Sequence, residues 1–257
     1  MSSKGRLGNG FFRYFACIIL SYKINNSKII SQNLNYINGN NNINVNDVYF
    51  LDLLKLNNNY NKLNFILSEF YQNDIYLQYR SQIIQFLKDN SNDFIISEFC
   101  GQNTAYLIHD LINTPQTFNK YYDLVIHVRL EDFVQNNEYI RTEFLLNLFE
   151  TINFKNYKNI CILSNKINTN FEINYINVLL KWFQKKNIKI TCESNDIITD
   201  FHIMINTTAL ICSLSTLSWV GAFISEKINV CYFPDYPIKR HFQTFKNPIE
   251  NTILYKI

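Results

Sequence analysis

From residue 124 onward, short apolar runs alternate with longer amphipathic ones. Leu124-Val125-Ile126-His127-Val128, NICIL (159–163), IKITC (188–192), ALICSL (209–214) and INVCYF (228–233) are compact and rich in β-branched residues, so each reads as a buried strand. Between them, TEFLLNLFETI (142–152), NYINVLLKWFQKK (174–186), IITDFHIMINT (197–207) and TLSWVGAFIS (216–225) repeat their apolar residues at three- and four-residue steps, as helices do. Strand and helix in alternation predict βαβ units and a parallel sheet. The N-terminal half is mixed. Phe11 to Tyr22 is apolar nearly all round and follows a glycine-rich turn, which predicts a buried helix. Further helices are expected over about Lys62–Phe70 and Gln78–Lys88, and the Asn tracts at 39–47 and 57–61 read as polar loops. The change of pattern places a domain boundary near residue 122, giving an N-terminal lobe (1–122) and a C-terminal lobe (123–257).

Composition narrows the class. With 257 residues, 47% of them hydrophobic and 16% aromatic, the chain has ample material for packed cores. A formal charge of +3, with KWFQKKNIK (181–189) as its one basic cluster, is too mild for a nucleic-acid partner. That cluster reads as the solvated end of a helix. Six cysteines sit in apolar neighbourhoods with no C-x-x-C pair and no matching histidine run, so buried, reduced thiols are expected and no metal site. Arg13 interrupts the apolar run Phe11–Leu20, and Ser21-Tyr22-Lys23 follows it, against a cleaved signal peptide. No run reaches the roughly 18 apolar residues of a membrane span, so a cytoplasmic protein is expected. The bias toward Asn, Ile, Lys and Tyr reflects an AT-rich genome.

In a parallel sheet, ligands gather at the carboxyl ends of the strands. Those positions hold Arg129 to Asp132, Ser164-Asn165, Glu193 to Asp196 and Ser213 to Ser218. Hydroxyls, amides and an arginine at successive strand ends suit a nucleoside diphosphate. In SLSTLSW, hydroxyls and free N–H groups at a helix start can hold a phosphate oxygen. A plain cap by Ser215 or Thr216 explains one hydroxyl, but Ser213, Ser215, Thr216 and Ser218 exceed what a cap needs. The two readings stand level. HVRLED (127–132) puts His127 and Arg129 on one side of the backbone. Arg129 can bind a diphosphate with paired hydrogen bonds, or it can pair structurally with Glu131 or Asp132. In KGRLGNG (4–10), three glycines allow either a ligand-approaching turn or an ordinary one.

In order, these motifs resemble the fucosyltransferase superfamily, most closely the alpha-1,2-fucosyltransferase-like glycosyltransferases. The resemblance rests on GRLGNGFFRYFA, on HVRLED as H-x-R-x-x-D, and on Asp200, Met204 and SLSTLSW as the closing pattern. It implies a GT-B-like α/β fold of two Rossmann-type lobes facing a cleft, with an acceptor-side N-terminal lobe and a C-terminal lobe that holds a GDP-sugar. It also implies inversion and no metal. Carried over, Arg129 holds the diphosphate, His127 lies near the nucleoside, and Ser215 and Thr216 contact phosphate. ILSNK resembles the family's strand ending in Ser-Asp, with Ser164 matching and Asn165 replacing the acid. Gly8, Asn9, Asp196, Ser213 and Ser218 complete the expected donor site. The family often has Arg-Gly where this chain has Leu130-Glu131, its glutamine after G-x-L-G-N is here Gly10, and its second tryptophan is Val220.

The expected activity is transfer of a sugar, fucose by the resemblance, from a GDP-sugar to a glycan hydroxyl on an oligosaccharide or glycoconjugate acceptor. Arg129 and Asp132 are the expected catalytic residues, and Asp132, Glu131 and Glu98 are candidates for the general base. The alternatives are a nucleotide-sugar or glycan-binding protein of the same fold without turnover, and an α/β nucleotide-binding protein unrelated to sugar transfer.

Overall fold

A computed structural model describes residues 7–23, 28–30, 42–44, 75–90, 95–97, 105–235 and 247–257. The helix expected over 62–70, the Asn tract 57–61 and Glu98 lie outside these residues. The chain forms two compact units, Met1–Thr114 with Ile238–Asn247, and Pro115–Pro237 with Pro248–Ile257. The position chosen from the sequence, residue 122, falls inside the second unit.

The first unit contains α1 (Leu7–Lys23), β1 (Lys28–Ile30), β2 (Asn42–Asn44), α2 (Ile75–Gln78), α3 (Arg80–Asn90), β3 (Ile95–Ser97), β4 (Ala105–Leu107) and α4 (Ile108–Ile112). β1 pairs with β2 in parallel and β3 with β4 antiparallel. Two expectations are corrected. Residues 42–44 of the first Asn tract, read as loop, form β2. The segment Leu7–Gly10, read as a turn, is already helix. Leu7, Phe11, Tyr14, Phe15 and Ile18 share one face and are fully buried, and that burial outweighs the cost of about 1 kcal/mol for each helical glycine. Gly8 and Asn9 therefore sit in the first turn of α1 rather than in a loop. The face is finished by rings: Phe12 meets Tyr76 edge-on at 5.5 Å, and the Tyr76 hydroxyl donates to Phe12 O.

The second unit runs β5 (Leu124–Val128), α5 (Asp132–Gln135), α6 (Thr142–Thr151), β6 (Ile160–Ser164), α7 (Asn170–Lys185), β7 (Thr191–Glu193), α8 (Ile197–Ile205), β8 (Ala209–Ile211), α9 (Thr216–Ile224), β9 (Val230–Asp235) and β10 (Thr252–Lys256). All six strands are parallel, in the order β10-β9-β8-β5-β6-β7. Counted from β5 as the first strand, this is the 3-2-1-4-5-6 order of the doubly wound nucleotide-binding sheet. The chain steps outward from β5 to β7, then returns to lay β8 on the other side of β5. Central β5 is buried on both faces, which is why its sequence is a continuous apolar run.

Leu124, Ile126, Val128, Ile160, Ile162, Ala209 and Ile211 pack on one face against Leu145, Leu148 and Phe149 of α6 and Ile176, Leu179 and Phe183 of α7. Alternation turns Leu210 and Cys212 the other way. There α9 covers them, with Cys212 Sγ reaching Ser218 O. The two helices on that face meet closely: a Cβ on Gly221 would lie 3.3 Å from Met204 Cβ.

Several boundaries move. β7 is Thr191–Glu193 rather than 188–192, because Ile188 and Ile190 tuck against the core instead of extending the strand. α7 begins at Asn170, four residues early, where Thr169 and Glu172 form a capping box. β10 has no counterpart in the sequence reading, because Ile253 and Leu254 are 45% and 50% exposed and break the in–out pattern. Its anchor is Tyr255, whose hydroxyl donates to Cys212 O at 2.7 Å. Pro234 lies within β9, tolerated because the pairing with β8 ends at Tyr232. Of the cysteines expected to be buried, Cys161, Cys212 and Cys231 are, whereas Cys192 on edge strand β7 is exposed. Among the described residues no helix is long and apolar enough to cross a membrane, and no His/Cys/Asp/Glu group could hold a metal.

Candidate functional site

The order of winding puts the topological switch between β5 and β8. In open α/β sheets the crevice outside the carboxyl ends at such a switch is where ligands bind. The segment leaving β5 is HVRLED, and the segment leaving β8 is SLSTLSW. Two motifs separated by more than eighty residues in the chain thus share one edge of neighbouring strands.

They also touch. Buried His127 Nδ1 and Ser213 Oγ are 2.8 Å apart. Burial lowers the His127 pKa to about 4, so the ring is neutral and the bond joins two uncharged groups. Past it, Ser215 caps α9 by accepting from Leu217 N at 3.2 Å. Ser218 is fully buried and donates back to Ser215 O at 3.0 Å. The capping reading therefore accounts for Ser215, and a backbone bond occupies Ser218. Half-buried Thr216 is the hydroxyl at the first helical position, where N–H groups lack intrahelical partners.

Arg129 is held locally. Its Nη2 lies 2.9 Å from both Glu131 Oε2 and Asp132 Oδ1, and its guanidinium sits 5.6 Å from the Phe133 ring centre. One cation and two carboxylates leave this corner formally negative. Glu131 has a strained backbone, φ 40° and ψ −119°, in a region that suits glycine rather than an L side chain. It occupies the position where the fucosyltransferase-like pattern often carries glycine.

The loop is tied to β6 and α7. Leu130 N donates to Asn165 Oδ1, and Glu131 N donates to Glu172 Oε1, both at 3.2 Å. Buried Glu172 also accepts from Asn168 N and Thr169 N through Oε2. Burial pushes its pKa up, but these backbone donors outweigh it and hold the carboxyl below its usual value. Glu172 was not singled out from the sequence, although Thr169-x-x-Glu172 is a legible capping signal. Beside Asn165, at the end of β6, Ser164 Oγ is buried and without a hydrogen-bond partner among the described residues. A buried orphan hydroxyl costs about 1–3 kcal/mol, which a ligand acceptor or donor can recover.

Asp196 does not join this group. It caps α8 beyond β7, accepting from Ile198 N and Thr199 N and from the Thr199 hydroxyl. Nearby, Lys120 binds Glu193 Oε2 at 2.6 Å and Asn195 Oδ1 at 2.7 Å, and Asn195 donates to Asp200 Oδ1. Burial raises the Asp200 pKa to about 6. Glu193, Asn195 and Asp200 were named from the sequence and Lys120 was not; together they satisfy one another.

No protein-family model matches the sequence, and comparison with curated proteins gives no match. Among solved structures, the chain is similar to the E. coli heptosyltransferase WaaC with ADP, at 12% identity and a TM-score of 0.42 over 84% of this chain and 60% of that one. It is also similar to the same heptosyltransferase with ADP-2-deoxy-2-fluoro heptose, at 12% identity and a TM-score of 0.33, over 62% and 44%. This chain thus spans less than two thirds of the length of those proteins. At that identity and degree of superposition, neither likeness assigns a donor, an acceptor or a reaction to it.

Proposed function

We propose that the protein is an inverting, metal-independent glycosyltransferase that moves a sugar from a GDP-sugar to a glycan hydroxyl, with fucose as the sugar. The observation that carries the reading is the position of HVRLED and SLSTLSW on the two sides of the switch point of a 3-2-1-4-5-6 sheet. The glycine-type backbone at Glu131, where the resembled pattern often carries glycine, supports it further. GDP and fucose come from the resemblance of the motifs.

In the proposed reaction, the acceptor oxygen bonds to the anomeric carbon as the bond from that carbon to phosphate breaks. GDP carries away the electron pair, and the acceptor proton passes to a carboxylate. Charge builds on the departing diphosphate, and the N–H groups of the first turn of α9, with its dipole, stabilise it. Arg129 joins by exchanging one carboxylate for a phosphate oxygen. The carboxylate it gives up, Glu131 or Asp132, then serves as general base. Ser164 donates its buried hydroxyl, unpartnered among the described residues, to the nucleotide.

A thermal-shift comparison of GDP, UDP and ADP tests the nucleotide, and GDP release from GDP-fucose with a panel of oligosaccharide acceptors tests the transfer. A selective rise with GDP, reduced in Ser164→Ala, and acceptor-dependent GDP release abolished in Arg129→Ala are expected. No shift with any nucleotide sinks the reading. Binding without release favours the second reading, a nucleotide-sugar-binding protein without turnover, for which the engagement of Arg129 by two carboxylates speaks.

A further inference from the structure

A cavity of about 410 Å³ lies between the N-terminal halves of α6 and α7, and none of its lining residues belongs to HVRLED or SLSTLSW. Its size is at the small end of ligand pockets, roughly 300–1,000 Å³. Three rings line it: Tyr139 and Phe171 meet edge-on at 5.3 Å, and Tyr175 stands 6.2 Å and 6.4 Å from them. Tyr175 is fixed by its hydroxyl, which donates to Ile140 O at 2.6 Å. Phe171 and Val178 are 42% and 41% exposed, large apolar surfaces kept open to solvent on a concave wall. Arg141, Thr142, Glu143 and Asn174 interleave with them. Arg141 stands at the N-cap of α6 without capping it, and Glu143 is engaged only by a long contact from the Thr142 hydroxyl, 3.4 Å, among the described residues.

We infer that this cavity is a saccharide-binding site separate from the proposed nucleotide site. A pyranose has an apolar face of C–H groups and a rim of hydroxyls that both donate and accept. Exposed rings suit the first, while a guanidinium, an amide, a carboxylate and a hydroxyl, supplying donors and acceptors together, suit the second. Arg141 and Glu143 offset one another in charge, so the cavity selects neither anions nor cations. A purely apolar partner would offer these four polar side chains no hydrogen bond, which disfavours a hydrophobic helix or a lipid tail as the occupant. The site stands whether or not the transferase reading holds, and within that reading it would retain the glycan acceptor or its product near the enzyme.

Saturation-transfer NMR on the full chain tests it, with methyl glucoside, methyl galactoside, methyl mannoside, methyl fucoside and N-acetylglucosamine as separate probes at millimolar concentration. Transfer to the ring protons of at least one probe is expected. Phe171→Ala and Asn174→Ala should each weaken that binding about tenfold, equivalent to about 1.4 kcal/mol, with the thermal transition unchanged. Ser164→Ala should leave it intact, which keeps this result separate from the nucleotide site. No transfer with any probe overturns the inference, as does transfer equal in Phe171→Ala and the parent. A dimer that dissociates in Phe171→Ala while no probe binds would make the cavity a protein interface and overturn it too.

Discussion

Replacing Glu131 by glycine should stabilise the protein, although it deletes an ion pair. At φ 40° and ψ −119°, Glu131 holds a conformation that costs a non-glycine residue about 1–3 kcal/mol. Two terms oppose the gain. Glycine loses more backbone freedom on folding, about 0.5–1 kcal/mol, and the partly exposed contact with Arg129 is worth about 0–1 kcal/mol. The balance is a gain of about 1 kcal/mol. Glu131 is also the N-cap of α5, and glycine is a better cap than alanine, so an alanine comparison alone would confound strain with capping. Serine resolves this, because it caps well but carries a Cβ. The bond from residue 131 N to Glu172 is backbone and survives in every variant. The expected order of stability in urea unfolding followed by far-UV circular dichroism is glycine above parent, then serine, then alanine. Serine equal to or above glycine would refute the strain argument. If Arg129 is the diphosphate ligand, Glu131→Gly should also tighten GDP binding several-fold, because one competing carboxylate is gone.

Further predictions concern the groups that frame the same loop and sheet. His127 has its folded pKa lowered to about 4 from an ordinary value near 6.5, so the unfolded chain binds more protons between those values. Stability should fall as pH drops through this window, by about 3 kcal/mol at full extent, and unfolding of His127→Asn measured against pH should lose that slope. Glu172 has the opposite sense: its depressed folded pKa contributes stability in full above the unfolded value, about 4.3, and loses it as pH falls through the folded one. At neutral pH, Glu172→Ala strips the acceptor from three backbone N–H groups and should cost about 2–4 kcal/mol in urea unfolding, whereas Thr169→Ala should cost about 1. Gly221→Leu should destabilise by about 1–3 kcal/mol in thermal unfolding, since even a methyl group would press on Met204 Cβ.

What the sequence determined by itself was local. Runs of β-branched residues and three-to-four-residue periodicity placed β5, β6, β8 and β9 and the helices α6 to α9, but not short α5, because burial of a face is written in residue spacing. The polar residues after β5, β6 and β8 were legible as site candidates for the same reason. Only the tertiary structure decided which ends adjoin. That β8 lies beside β5 makes HVRLED and SLSTLSW neighbours and lets Ser213 reach His127 across eighty-six residues of chain. It also showed what these groups bond to within the protein: Ser215 caps α9, and Arg129 pairs with both local carboxylates. Glu172 escaped notice because its capping box is local while its hold on Glu131 is not. β10 escaped because an edge strand with an exposed face shows no alternation. Pairing and strain depend on which distant atoms share a site, and spacing along one chain does not encode that.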